Sequence, residues 1–407
     1  MLGGMFRALR IRNYRLYFCG QLASMAGTWM QLVGLAWLVL KLTGSGTDVG
    51  VATAAQFVPV LLLGGWAGVV ADRFDNRTAV TAVQVFLGVQ AAVLAAVVLA
   101  GVVEMWMVYV LAVMQGVGTA FDAPTCQSFL GELVGDAELT NAVALNGVLF
   151  QMARIVGPVL AGLLIDNVSI GACFAVNAAS YVVVIAFLTA MDPAQLLPRP
   201  RVARAAGQLR EGIKYVLETP RLRALLAVTA VAGTFALQFN VVLPVFAKFT
   251  LHGNAGTLAT MLALHAAGGL VVALLLAAGG RPTSARILLA VVVLGASMLA
   301  TATTSTLGWA SAGLFVVGGA TLAVLVQCNT SVQLVARPEL RGRAIALYFL
   351  VSQGSNVVGG PIAGLMAQEL GARAAIAFGG GAALVAAVGW LAHARGRLHE
   401  RMHVATA

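Results

Sequence analysis

Charge is what this 407-residue chain has least of: Asp, Glu, Lys and Arg together make up 10% of it, 15 acids against 25 bases. Soluble domains carry about 25%, so a soluble globule of this make-up would lack a polar surface, and soluble enzymes, nucleic-acid modules and disordered chains are disfavoured. Cysteine is also scarce. Cys19, Cys126, Cys173 and Cys328 lie in or beside apolar stretches and do not pair in a loop, which argues against a disulfide framework. They read as small core residues. No G-x-x-x-x-G-K-[ST] loop and no segment long enough for a nucleotide-binding domain are present, so ATP coupling within the chain is excluded. No nucleophile with its base and no His, Cys or carboxylate set with metal-ligand spacing occurs in the apolar stretches. The chain is therefore expected to be no enzyme and to hold no metal or cofactor.

What is abundant is apolar: 60% of residues are hydrophobic, in blocks long enough to cross a bilayer core of about 30 Å. Twelve such spans are expected, near 14–40, 49–70, 79–100, 105–126, 142–165, 172–190, 223–246, 257–279, 287–303, 308–334, 344–367 and 374–393. The first is long, and it lacks the short apolar region and small-residue cleavage site of a signal peptide, so it reads as retained. Basic residues test this division, because they collect in cytoplasmic loops. Of the 25 Lys and Arg, Lys41, Lys248 and Arg373 fall on one side and Arg154 inside a span, leaving 21 on the other side. The expected topology is all-α and multi-pass, with both termini cytoplasmic. The basic excess then marks topology and implies no nucleic-acid partner.

The longest polar interruption, 192–222, contains Pro193, Pro198, Pro200 and Pro220 around an amphipathic stretch, Arg204 to Glu218. It separates six spans in 1–191 from six in 223–407. The two parts repeat weakly: Asn141 to Gly162 aligns with Gly342 to Gly364, matching Ala144/Ala346, Gln151/Gln353, Gly157/Gly359 and Gly162/Gly364 at an offset of 202. One inserted residue moves Pro158 onto Pro361. Span five therefore corresponds to span eleven, a parallel repeat of six spans.

Twelve helices in two six-helix bundles, a basic central loop and this repeat resemble the major facilitator superfamily. Gly68-Val-Val-Ala-Asp72-Arg73-Phe-Asp-Asn-Arg77 is similar to its signature loop after span two, departing at Asp75 and Asn76, where Gly and Arg are usual. The resemblance implies a cytoplasmic gate at Gly68, Asp72, Arg73 and Arg77, a carboxylate capping a neighbouring helix or pairing with Arg. The second-half counterpart, Gly280-Arg281-Pro282, lacks the Asp. Gly157, Pro158 and Gly162 in span five, with Gly360 and Pro361 in span eleven, form a degenerate version of the superfamily's antiporter motif and are the expected hinge and packing residues. Leu9 to Gln21, Ala36 to Ser45, Ala120 to Pro124, Gln151 to Pro158 and Pro338 to Arg343 resemble the branch that contains the enterobactin exporter and macrolide efflux proteins, which implies efflux of a siderophore or drug-like compound.

Ionisable groups inside spans cost about 2.5 to 3.5 kcal/mol on insertion scales and are functional candidates by default. Three occur: Asp122 late in span four, Arg154 in span five and His265 midway along span eight. Arg154 reads either as an ion-pair partner of Asp122 or as a ligand for an anionic substrate group; His265 reads as a packing residue or a proton shuttle. Polar residues at helical spacing, Gln21, Ser24, Thr28 and Gln31 in span one, Gln115 and Thr119 in span four and Gln151 in span five, belong on faces turned from lipid. Gln238, Asn240, Gln327, Tyr348 and Asn356 join them as candidates for a substrate and proton path, and Trp29, Trp37, Phe57 and Tyr348 for stacking a ring. The superfamily's proton-linked motif has Arg four residues before the Gly of Gln115-Gly116, where this chain has Ala112, which moves weight to Asp122. The expected function is a proton-antiporting exporter of a small organic molecule, monomeric, in a bacterial inner membrane. A proton-coupled importer of a nutrient or metal chelate and a non-transporting membrane protein are the alternatives.

Overall fold

The computed structural model describes residues 6–71, 75–197, 208–279 and 282–405. These are helical nearly throughout, with no strand among the described residues. Spans one to three are Arg12–Thr43, Gly46–Ala71 and Asn76–Leu99. Spans four and five share Met105–Asn167, spans six to eight follow as Ile170–Thr189, Pro220–Thr250 and Ala255–Ala278, and nine to twelve are Ser284–Ala302, Leu307–Val335, Arg341–Glu369 and Ala372–Ala405. The amphipathic linker helix is Gln208–Glu218; the stretch before it, 198–207, lies outside the described residues. Among the described residues, ten helices are long and apolar enough to cross a membrane.

Local chemistry sets the ends. Span one stops at Gly44, whose φ of 67° is open to glycine at little cost. Gly135, at φ 66°, breaks the backbone between spans four and five, so the continuous helix is two spans meeting at a bend. The two departures from the signature loop have structural work: the Asp75 carboxylate caps span three by accepting from the Thr78 N–H at 2.9 Å, and the Asn76 amide donates to Glu132 at 2.7 Å. Span seven is not the uninterrupted helix expected. It contains π-helical turns at Ala232–Ala236 and Phe246–Thr250, and between them the Gln238 amide folds back to donate to the Gly233 carbonyl at 2.6 Å.

The chain forms two compact units. The first comprises Met1–Gly44, Ala52–Arg204 and Gly253–Ala263; the second Ser45–Val51, Ala205–His252 and Leu264–Ala407. In the first, Gly157 of span five seats against span one, where a Cβ would lie 2.6 Å from the Trp29 Cβ and 2.7 Å from the Ala26 carbonyl oxygen. Further along, the Asp166 carboxylate accepts from the backbone N–H of Ala255 (3.2 Å) and Gly256 (2.8 Å), capping span eight. The second unit repeats this arrangement at the same offset. A Cβ on Gly359 of span eleven would collide with the Thr234 carbonyl of span seven, and Gln368 accepts from the Gly46 N–H at 2.8 Å, capping span two. Also in the second unit, the linker helix is tied to span eleven by the Glu211–Arg343 ion pair, and the Tyr215 hydroxyl accepts from the Arg337 N–H at 3.0 Å.

Candidate functional site

The polar stripe of span one has a fate that its spacing alone does not define. Gln31, 1% exposed, donates to Gln90 of span three at 3.1 Å and accepts from Asn177 of span six at 2.7 Å. Gln90 passes the chain on to the Leu111 carbonyl of span four at 3.0 Å. Thr28 bonds to its own helix at Ser24 and shares a 3.1 Å hydrogen bond with the Tyr181 hydroxyl. Gln31 and Thr28, expected on a substrate path, therefore lie inside the first unit's bundle, joining spans one, three, four and six. Buried amides satisfy one another there at lower cost than they could against lipid.

Asp122 sits at the end of this network. Its carboxylate accepts from the Gln84 amide at 2.7 Å and from the Cys126 thiol at 3.5 Å. Gln84 in turn accepts from Ser24 at 3.4 Å, and Cys126 accepts from the Gln21 amide at 3.5 Å. Cys126 is thus a participant in a polar cluster and more than the apolar filler expected. No ion pair joins Asp122 to Arg154 among the described residues, which removes the structural-pair reading of both. A carboxylate held only by neutral donors can exchange a proton without breaking a salt bridge.

Arg154, half-buried, lies over the indole of Trp29 with its guanidinium carbon 5.1 Å from the ring centroid, and Nη1 donates to Gln151 Oε1 at 3.4 Å. Phe150 meets the same indole edge-on, centroids 5.9 Å apart. In the second unit His265 is 5% exposed, with its ring 4.6 Å from that of Phe239. Gly318 of span ten packs directly on the His265 backbone carbonyl, leaving no room for a Cβ. Tyr348 is also a packing residue, 3% exposed, its hydroxyl donating to the Leu325 carbonyl at 2.8 Å. Gln327 reaches the Arg286 carbonyl at 3.4 Å, and Asn356 bonds locally to Gln353 at 3.3 Å. Asn240 is half-buried beside the break in span seven. Gln115, Gln238 and Gln327 each bury a side-chain carbonyl oxygen that finds no partner among the described residues.

At the gate, Asp72 and Arg73 lie outside the described residues, and Gly68 is described only as part of Gly46–Ala71. Arg77 caps the end of span six, donating to the Leu188 carbonyl at 2.8 and 3.1 Å and to Thr189 at 3.1 Å, where the helix dipole favours a cation. Pro158, Gly360 and Pro361 stand in spans five and eleven as expected, with helix on either side of each proline. The residues that sequence reasoning missed are the partners on spans three and six: Gln84, Gln90, Asn177 and Tyr181. Their signal was present: Asn177 and Tyr181 flank Ser180 at i, i+3 and i+4 on one face of span six, while Gln84 and Gln90 stand six residues apart in an otherwise apolar span three.

The sequence matches the family described as transmembrane secretion effector over residues 4–405. It is 28% identical over 360 residues to the multidrug efflux pump Tap of Mycolicibacterium fortuitum, covering 86% of this chain and 88% of that one. It is 22% identical over 257 residues to the staphyloferrin A transporter of Staphylococcus aureus, covering 63% and 64%, and 29% identical over 225 residues to the uncharacterized MFS-type transporter YfiS of Bacillus subtilis, covering 54% and 52%. The chain thus spans about half the length of the last of these and under two thirds of the staphyloferrin A transporter in those matches. In fold it is similar to the crystal structure of the nucleoside transporter NupG, with a TM-score of 0.73 at 13% identity over 95% of this chain and 98% of that one.

Proposed function

We propose that this chain, which belongs to the transmembrane secretion effector family of the major facilitator superfamily, exports small organic molecules by alternating access in exchange for protons. The observation that carries the coupling is Asp122, a carboxyl in a membrane span held by the Gln84 amide and the Cys126 thiol. One proton moving down its gradient supplies about 2.3 kcal/mol per 100 mV, and an acid with neutral partners can load and release it as access alternates. Export, in preference to import, is supported by relatives that are a multidrug efflux pump and macrolide efflux proteins. The distribution of Lys and Arg supports a bacterial cytoplasmic membrane with both termini inside. Asp72 and Arg73 are assigned to a cytoplasmic latch, and the working unit is a monomer.

The test is retained drug in an efflux-deficient bacterial host challenged with erythromycin, tetracycline and ethidium. Expression lowers the cell content of at least one compound, a protonophore restores it, and Asp122→Asn behaves like the empty host while still reaching the membrane. Unchanged or raised content of all three would overturn export, and efflux indifferent to the protonophore would overturn proton coupling.

A further inference from the structure

Among the described residues, Arg154 is a cation without an anion in ion-pair reach. It stands 13 residues from the end of its helix at Asn167, about 20 Å at 1.5 Å per residue, and further from the bend at Gly135. Lipid headgroups at either surface are therefore out of reach, and the usual compensation for such a charge is a carboxylate on a neighbouring helix. None is within ion-pair distance among the described residues, Asp122 being held by Gln84 and Cys126. Arg154 has the face of Trp29 and one long hydrogen bond to Gln151 Oε1. An arginine carries five N–H donors, so most of its hydrogen-bonding capacity is unspent.

A second, independent observation lies in the same turn. Gln151 is 8% exposed, and its Nε2 is a buried donor with no partner among the described residues. Gln151 Oε1 faces the guanidinium and Nε2 is bonded to the same carbon, so the unspent donors of both side chains lie within one turn of span five. Beside them the surface is aromatic and open. Phe150, edge-on to Trp29, is 44% exposed, and one turn before it a Cβ on Gly147 would meet nothing within 4 Å. Residues 147, 150 and 154 recur at i, i+3 and i+7 and share one side of span five. That side carries a charge, so it does not face hydrocarbon.

We propose that Arg154 and Gln151 bind a carboxylate of the exported molecule, and that Trp29 and Phe150 stack the conjugated ring to which that carboxylate is attached. A guanidinium donates to the two oxygens of a carboxylate in a bidentate fork, and the Gln151 amide adds a third donor. Trp29 has two roles: it holds the guanidinium through one face and with the exposed Phe150 packs against the ring of the substrate. The substrate supplies the anion that the protein withholds, so the charge of Arg154 is compensated when cargo is aboard. This assignment rests on the export reading and narrows it to ring-bearing acids.

The experiment uses the full chain in lipid nanodiscs, 2-naphthoate and its neutral counterpart 2-naphthamide as probes, and equilibrium dialysis as the readout. The wild type binds the acid about tenfold to a hundredfold more tightly than the amide, the range that a charged hydrogen-bonding partner confers. Arg154→Gln abolishes that preference, Arg154→Lys restores part of it, and Trp29→Leu weakens both probes together. Should Arg154→Gln fail to fold, Gln151→Leu carries the test, lowering affinity for the acid and leaving the amide unchanged. Equal binding of the two probes by the wild type, no binding of the acid, a preference that survives Arg154→Gln, or one that is undiminished in Gln151→Leu would overturn the proposal. Erythromycin efflux by the wild type in the cell assay is scored separately, so a failed export reading and a failed carboxylate site give different results.

Discussion

At the scale of single residues, the buried amides separate two roles that look alike in a sequence. Gln31 is fully committed, donating to Gln90 and accepting from Asn177, whereas Gln151 keeps a buried donor unspent. Removing a committed amide leaves its partners orphaned in a low-dielectric interior, at about 1 to 3 kcal/mol for each. Gln31→Leu is thus expected to lower the thermal unfolding midpoint of the purified protein by several degrees without changing which compounds it exports. An equal midpoint would show that Gln90 and Asn177 find each other or water. Gln84→Leu acts on a different property. It takes away the amide that holds the Asp122 carboxylate, so the pH at which efflux is half-maximal should move while the set of exported compounds stays the same. A pH profile identical to that of the wild type would detach Gln84 from the proton step.

At the scale of elements, the internal repeat is a repeat of contacts. Asp166 caps span eight, and 202 positions later Gln368 caps span two; Gly157 seats on span one, and Gly359 on span seven. The two caps differ in charge. A carboxylate that accepts two N–H groups at a helix N-terminus also interacts with the dipole, and such caps contribute about 0.5 to 2 kcal/mol. Asp166→Leu should therefore destabilise the protein more than Gln368→Leu, with Asp166→Asn in between because it keeps an acceptor and loses the charge. Melting curves of the three variants at low and high salt check this. Equal losses for Asp166→Leu and Gln368→Leu, with none for Asp166→Asn, would mean that the charge contributes nothing.

The same scale shows what was legible in the sequence. The apolar stretches 14–40 and 79–100 became Arg12–Thr43 and Asn76–Leu99, because bilayer thickness dictates how long an apolar helix must be. The Asp122 and Arg154 candidates were legible for the same reason: a charge in hydrocarbon stands out. The fate of Gln31 was not legible, since a 3.6-residue period tells which face avoids lipid and is silent on whether a helix or water lies opposite. Its partners stand 59 and 146 residues away. The break in span seven escaped as well, because the Gln238 side chain replaces backbone bonds across a π turn, and no periodicity encodes that exchange.

For the whole molecule, the charge scarcity becomes a statement about topology that can be measured. The remaining 21 Lys and Arg lie on one side of the proposed membrane, with Lys41, Lys248 and Arg373 on the other, and positively charged loops stay cytoplasmic. Loops between spans three and four and between nine and ten carry none of these clusters; those before span three and before span eleven do. In a variant with all four native cysteines replaced by serine or alanine, single cysteines at Gly101 and Thr306 should react with a membrane-impermeant maleimide added to intact cells. Single cysteines at Asn76 and Glu339 should react only after the cells are opened. The helix ends make the test discriminating: Ala100 and Thr303 close spans three and nine, whereas Asp75 and Leu340 begin spans three and eleven, so each pair of probes samples opposite ends of the spans. The reverse labelling pattern would invert the topology and place both termini outside. Labelling of Gly101 and Asn76 from the same side would break span three as a crossing helix, and the parallel repeat of six spans would fall with it.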